Sequence, residues 1–349
     1  MEIRKIQDAD LDGKKTILRV DFNVSLENGK AKETFKIKAA KESLDYLMAR
    51  NAKVALLSYF GRPEGNSPAG EPEFSMEQLV ADVQKILGFK IKFVSDCRGE
   101  KVKKEMAALK GGEVLLLENA RFYPGEDKND ENLARQMADG FEIFINDAFS
   151  QSHRNQASIT GITKFLPSFA GFQLQKEITE MEKIKKDFAR PAVAIIGGAK
   201  IETKLPVIQF FENIYDYVLV GGKIANEALD QKIDFSEKVI LPIDFIDNRL
   251  DIGPATVKKF QAIIQKAKTI VWNGPLGKFE EEKYSRGTAD IFQSILQAPA
   301  YKVVGGGETL EIMEKNHNAD KFDFVSTGGG AMLEYLSGGK MPGIEMLKI

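Results

Sequence analysis

"VVGGGETLEI", residues 303–312, passes from two valines through three glycines and an acid into an apolar pattern of helical spacing. "VSTGGGAMLEYL", residues 325–336, repeats the arrangement soon afterwards. A strand that ends in glycines and feeds a helix leaves backbone N–H groups and the positive end of the helix dipole free to meet phosphate. Two such junctions close together predict one site, at the carboxyl edge of a parallel sheet.

Working outward, the same strand-then-glycine rhythm runs through "AVAIIGG", "DYVLVGG", "KVILP" and "KTIVWNG". Glycines follow the strands at Gly197 and Gly198, Gly221 and Gly222, Gly274, Gly305 to Gly307 and Gly328 to Gly330. One glycine pair is an ordinary tight turn; the repeated placement predicts a nucleotide domain. The first half carries its own apolar runs, "TILRVDF", "AKVALLS", "FKIKFVS", "GEVLLLEN" and "FEIFIND", alternating with amphipathic stretches. Such alternation argues for parallel sheets covered by helices. Between the halves, "GFQLQKEITEMEKIKKDFARP" reads as a long charged helix over about 172–188, stopped near Pro191. The expected fold is therefore α/β, with two doubly wound parallel-sheet (Rossmann-like) domains joined by a hinge helix. One larger sheet with that helix on its face is the alternative. Expected boundaries are 1–171, 172–335 including the interdomain helix, and a segment 336–349 returning to the first domain.

Strand ends in the first half carry charge instead of glycine: Arg19, Asp21 and Asn23 in "RVDFN", Arg62 in "SYFGRP", Arg121 in "LENARF", and His153 with Arg154 in "FSQSHRNQAS". Guanidinium groups match the oxygens of carboxylates and phosphates, so arginines converging on one sheet end predict a pocket for a small, strongly acidic ligand. Taken singly, each arginine reads as a solvated surface residue; the shared placement after apolar strands favours the pocket. A nucleotide half and an anion half joined by a helix make the layout of a hinge-closing phosphotransferase. Neither "GxxxxGK[ST]" nor a protein-kinase loop with "HRD" occurs.

Composition narrows the class further. A length of 349 residues suits two cores. Forty-nine basic residues nearly balance fifty-one acidic ones, so no global field points to nucleic acid or to an anionic membrane. A single cysteine, Cys97, excludes an intrachain disulfide framework, and "MEIRKIQDADLDGKK" lacks an apolar leader segment. A cytoplasmic protein without membrane spans is expected. Cys97 lies outside every motif, and neither His153 nor His317 has a triad-like setting, so no side-chain nucleophile is invoked.

Taken together, the motifs resemble those of the phosphoglycerate kinase family over essentially the whole chain: "RVDFNV", "GRP", "LENARF", "NDAFSQSHR", "GGAKIETK", "DIGP", "WNGPLGKFE", "GGGET" and "STGGGA" in order. The resemblance implies reversible transfer of the acyl phosphate of 1,3-bisphosphoglycerate to MgADP, giving 3-phosphoglycerate and MgATP, by a monomer. It places Asp21, Asn23, Lys36, Tyr59, Arg62, Arg121 and Arg154 around the phosphoglycerate. It places Gly198, Ala199, Lys200, Lys204, Gly222, Asn273, Pro275, Gly277, Glu280, Gly305, Gly306, Gly307, Glu308 and Thr309 around ADP or ATP. Lys36, Lys200, Gly306 and Gly329 would serve the transfer itself, Glu280 would bond the ribose, and Glu308 would face magnesium. Side chains alone leave plainer readings: lysines at i and i+4 also mark an exposed helix face, Glu308 also suits the first turn of a helix, and Trp272 reads as core packing.

Several positions depart from the family pattern. Lys36 stands where an arginine is expected, which keeps the charge and loses the bidentate fork. Tyr59 replaces a histidine and stays neutral at pH 7. Glu308 replaces an aspartate, and Lys223 follows Gly222 where a third glycine is common. The chain is also short between "ANEALDQKIDFS" and "EKVILPIDF", a region expected to supply part of the adenine pocket, and again before "DIGPATVKKF". A non-catalytic homologue that still binds nucleotide or anion, and a kinase for another small carboxylate, are the alternative readings.

Overall fold

The computed structural model of the chain describes residues 2–64, 68–315 and 319–349. His317 lies outside the described residues. Two six-stranded sheets form the frame, each wholly parallel. The first comprises β1 (Lys15–Arg19), β2 (Lys53–Leu57), β3 (Lys90–Val94), β4 (Glu113–Leu117), β5 (Ile143–Asn146) and β6 (Ser168–Ala170), in the order β3-β4-β2-β1-β5-β6. The second comprises β7 (Ala192–Ile196), β8 (Tyr217–Val220), β9 (Val239–Ile240), β10 (Thr269–Asn273), β11 (Tyr301–Gly305) and β12 (Phe324–Val325), in the order β9-β8-β7-β10-β11-β12. This is the two-sheet alternative, not one larger sheet. β6 escaped the sequence reading because three residues carry too little pattern to read.

Alternation along the strands builds two cores around the first sheet. Leu18, Val54, Leu56, Leu116 and Ile145 face helices bearing Ile37, Leu44, Leu47 and Val83. Their neighbours Ile17, Ala55, Leu57, Leu115, Leu117 and Phe144 face Val102, Met106, Leu133 and Met137. Because side chains alternate with a period of two, strands apolar at every position must be covered on both faces. Each fully buried leucine or isoleucine contributes about 1.5–3 kcal/mol. In the second sheet β7 is buried at all five positions. Trp272 in β10 is wholly buried beside Phe292, its indole N–H donating to Gly274 O at 2.9 Å.

The chain divides into two compact units. One runs to Ile178 and takes back Lys340–Ile349; the other is Thr179–Gly339. The division falls inside the helix Phe172–Lys186, whose start is held by Asp147, an acceptor for Leu174 N at 3.1 Å. In the first unit the returning segment is stitched down by Gly343 N to Ser152 O at 2.9 Å, Asn146 Nδ2 to Gly343 O at 3.1 Å and Arg4 N to Leu347 O at 2.8 Å. Position 343 needs glycine, since a Cβ there would lie 3.0 Å from Ser152 Cα. No helix among the described residues is long and apolar enough to cross a membrane.

Candidate functional site

Parallel sheets hold ligands where the strand order reverses, because the crossovers on either side diverge there and leave a crevice. In the first unit that point lies between β1 and β5. Beyond β1 come Asp21 and Asn23; beyond β5 comes the turn Phe149–Gln151. Asp21 is nearly buried and binds on three sides. Its Oδ1 accepts Asn23 N at 2.9 Å, its Oδ2 accepts the Ser150 hydroxyl, and Lys36 Nζ lies 3.3 Å from Oδ2. Lys36, on the short helix Phe35–Ala39, also donates to Asn23 O at 2.9 Å. Burial works against its charge, but Asp21, helped by Tyr59 and Glu33, outweighs it, so the pKa sits above the ordinary lysine value.

Tyr59 and Arg121 complete this edge. The Arg121 guanidinium lies 4.0 Å from the centroid of the Tyr59 ring and donates through Nη1 to Gly61 O at 3.0 Å. Its turn is fixed by Asn119, whose Oδ1 accepts both Arg121 N at 3.0 Å and Phe60 N at 3.2 Å. Burial and the neighbouring Arg154 lower the Arg121 pKa, while Tyr59 opposes them. Arg121 Nε, whose nearest carboxylate oxygen, Asp127 Oδ1, is 4.0 Å away, and Arg154 Nε are buried without a hydrogen-bond acceptor among the described residues. Unsatisfied buried donors on converging cations call for an anion. Arg62 stays exposed. Arg19 is withdrawn from the edge: it is fully buried, and its Nε donates at 3.0 Å to Ser158, whose hydroxyl donates to the buried Glu126. His153 is held neutral by burial and by Arg154, both of which lower its pKa.

In the second unit the order reverses between β7 and β10, so "GGAK" and "NGPLG" face each other. Here several of the glycines also meet a packing demand. A Cβ on Gly197 would stand 1.9 Å from Pro275 O, one on Gly274 2.4 Å from Gly197 O, and one on Gly329 2.5 Å from Gly306 Cα. These glycines let backbone pack on backbone. The amides of Gly198 and Gly222 are likewise spent within the protein, on Pro275 O at 3.0 Å and Leu276 O at 2.8 Å. Gly277 packs on Asp251, which would lie 2.1 Å from its Cβ. Thr309 is fully buried and accepts Gly274 N at 2.9 Å, so its hydroxyl braces the loop. What remains open is the start of the helix Gly307–Lys315: a Cβ on Gly307 would meet nothing within 4 Å. Gly305 is closed by Met332 and Ser326, whereas Gly306 takes φ +110° beside Asn273.

Two lysines flank this crevice. Lys200, with Ala199 before it, is exposed and forms the N-cap of the helix Ile201–Ile214. Lys204, one turn on, points inward and donates to Asn273 Oδ1, and burial lowers its pKa to about 8 against the pull of Glu308. Asn273 Nδ2 is buried with no acceptor among the described residues. Glu308, on the first turn of its helix, has a raised pKa from desolvation, with Glu280 and Glu311 adding to it and Lys204 opposing. Lys223 reaches Glu227 Oε1 at 3.8 Å, and Glu227 Oε2 accepts Ile201 N at 2.9 Å, so this side chain leans along its own helix.

Sequence reasoning missed Asn119, Ser150, Gln151 and Asp251. Asn119 and the Ser150–Gln151 pair lay inside quoted motifs, and Asp251 inside "DIGP", but supporting hydrogen bonds have no sequence signature.

Two doubly wound sheets, one with buried cations beyond its reversal point and the other with a buried lysine and an open helix start at its own, define the class, a phosphotransferase. The model of the family "Phosphoglycerate kinase" matches residues 6–240 and 235–339. A phosphoglycerate kinase of Wolbachia sp. subsp. Drosophila simulans is 37% identical over 398 aligned positions, covering 100% of this chain and 99% of the relative. One from Borreliella burgdorferi is 35% identical over 395 positions, covering 100% of both. Among solved structures, the Pyrococcus horikoshii phosphoglycerate kinase superposes with a TM-score of 0.87 at 28% identity, over 99% of this chain and 98% of that one. The Coxiella burnetii structure gives 0.81 at 31% identity, over 99% of each. The chain belongs to the phosphoglycerate kinase family, phosphotransferases of glycolysis that use ADP and ATP as co-substrates. The alignments exceed the 349 residues of this chain, so the relatives carry residues that it lacks.

Proposed function

We propose that this chain transfers the acyl phosphate of 1,3-bisphosphoglycerate to MgADP directly and in line, with the phosphoglycerate held by the unit that ends at Ile178 and the nucleotide by Thr179–Gly339. The observation that carries this reading is Lys204. A buried ammonium whose partner is a neutral amide gives up much of its proton affinity to desolvation, and an anion placed beside it restores that affinity. Nucleotide phosphates at the sheet's reversal point are such an anion.

The chemistry asks little of acid–base groups. A terminal oxygen of ADP forms the new bond to phosphorus, the bond from phosphorus to the carboxyl oxygen breaks, and its electron pair stays on a carboxylate that needs no proton. Catalysis is then positioning and neutralisation of spreading charge. Arg121, Arg154 and Arg62 bind the acid, Lys36 is the first unit's cation for the charge on the phosphoryl group, and Lys200, free at its helix start, is the second unit's. The amides at Gly306, Gly307 and Gly329 add the positive ends of two helices. Magnesium, when bound on the nucleotide, draws charge from the phosphates. Glu308 fits as its protein ligand, because such ions take one or two carboxylates and complete their shell with phosphate oxygens and water. Its raised pKa among Glu280 and Glu311 marks a carboxylate in need of a cation. The family resemblance implies a monomer, and the buried free thiol of Cys97 supports a reducing cytoplasm.

The test is MgADP-dependent ATP formation from enzymatically generated 1,3-bisphosphoglycerate. Turnover lost in Lys200→Ala supports the reading. Binding of both ligands without turnover would make the chain a non-catalytic homologue.

A further inference from the structure

Tyr59, beyond the end of β2, is buried at the centre of the first unit's edge. Gln151 Nε2 donates to its hydroxyl at 2.8 Å, and the same turn supplies Ser150 to Asp21, the partner of Lys36. One turn after β5 thus braces the ends of both β1 and β2. Over the Tyr59 ring, at 4.0 Å, lies the Arg121 guanidinium, held besides by the bond from Nη1 to Gly61 O and by a long ion pair, 4.0 Å, from Nε to the largely exposed Asp127. A guanidinium with one hydrogen bond and one long, solvent-screened ion pair can still swing its plane, whereas a flat ring beneath it sets that plane and so the direction of its remaining donors. The Tyr59 hydroxyl oxygen accepts from Gln151, and burial, followed by Asp21, keeps the phenol protonated and neutral.

We propose that Tyr59 is a positioning residue and not a substrate ligand: its ring is the platform that orients Arg121 toward the acidic group of phosphoglycerate, and Gln151 locks the ring. The proposal rests on the phosphoglycerate reading given above. It also explains how a chain with tyrosine where the family pattern has histidine keeps an ordered anion edge.

The test is a double-mutant cycle on 3-phosphoglycerate affinity, measured by calorimetry on the full chain: the parent, Tyr59→Leu, Arg121→Ala and the double variant, with Tyr59→Phe alongside. Tyr59→Leu is expected to weaken binding roughly tenfold, Tyr59→Phe to recover most of that loss, and Tyr59→Leu to add less than about twofold once Arg121 is gone. Equal losses with and without Arg121 overturn the proposal, as does Tyr59→Phe binding as weakly as Tyr59→Leu. Arg121→Ala with unchanged affinity removes both the proposal and the phosphoglycerate reading; additive losses remove the proposal alone. Should Tyr59→Leu not fold, Gln151→Ala takes its place in the cycle, where coupling to Arg121 supports the platform and additivity overturns it.

Discussion

Lys204 Nζ donates to the side-chain carbonyl of Asn273, and that bond joins the helix after β7 to the end of β10, the two strands between which the second sheet reverses its order. It leaves a buried cation with a neutral partner. Burial lowers the Lys204 pKa from 10.5 to about 8.

From this follows a pH dependence with a definite sign. Nucleotide phosphates bind the protonated form, so ADP affinity measured by calorimetry is expected to hold below about pH 8 and to fall above it, and Lys204→Met is expected to flatten the profile. Stability of the ligand-free chain runs the other way. Between about 8 and 10.5 the unfolded chain keeps a proton that the folded one has released, so this group makes the fold more stable as pH rises through that window.

Lys200 and Lys36 separate catalysis from folding. Lys200 is exposed, so Lys200→Ala is expected to move stability by less than about 0.5 kcal/mol while turnover drops on the order of a hundredfold or more. Lys36→Ala removes the partner of Asp21 and is expected to lower kcat on a similar order. Lys36→Arg restores the planar bidentate fork and is expected to raise kcat above the parent's. Steady-state kinetics beside thermal melts check all three.

Two glycines of the second unit are expected to fail differently. Gly197→Ala drives a methyl into Pro275 O and is expected to cost at least about 3 kcal/mol, seen as a lowered melting temperature. Gly307→Ala meets open space and is expected to leave the melt near the parent's, yet to weaken ADP binding, because the methyl stands where phosphate approaches the helix start.

Glu308 is expected to show itself through the metal. Glu308→Gln keeps the shape and loses the charge, so the gain in ADP affinity on adding Mg²⁺ should shrink, while affinity measured in excess chelator should stay or improve as an acid leaves the phosphate site. An unchanged Mg²⁺ dependence would remove Glu308 as the ligand.

The sequence by itself determined the two parallel sheets, the long helix between them and the motifs that carry the family. These follow from local pattern: apolar runs such as "AVAII" must be covered on both faces, and the order of the motifs survives in one dimension. It also marked Lys36 and Tyr59 as departures. Only the tertiary structure decided what those residues do to one another. That Gln151 holds Tyr59, that Tyr59 underlies Arg121, and that Arg19 turns into the core are contacts between residues distant along the chain, set by strand register and packing. The glycines show the same limit. Gly197 and Gly307 read alike in sequence, yet one is pressed against Pro275 and the other stands open, because the difference lies in which strand end the fold brings alongside.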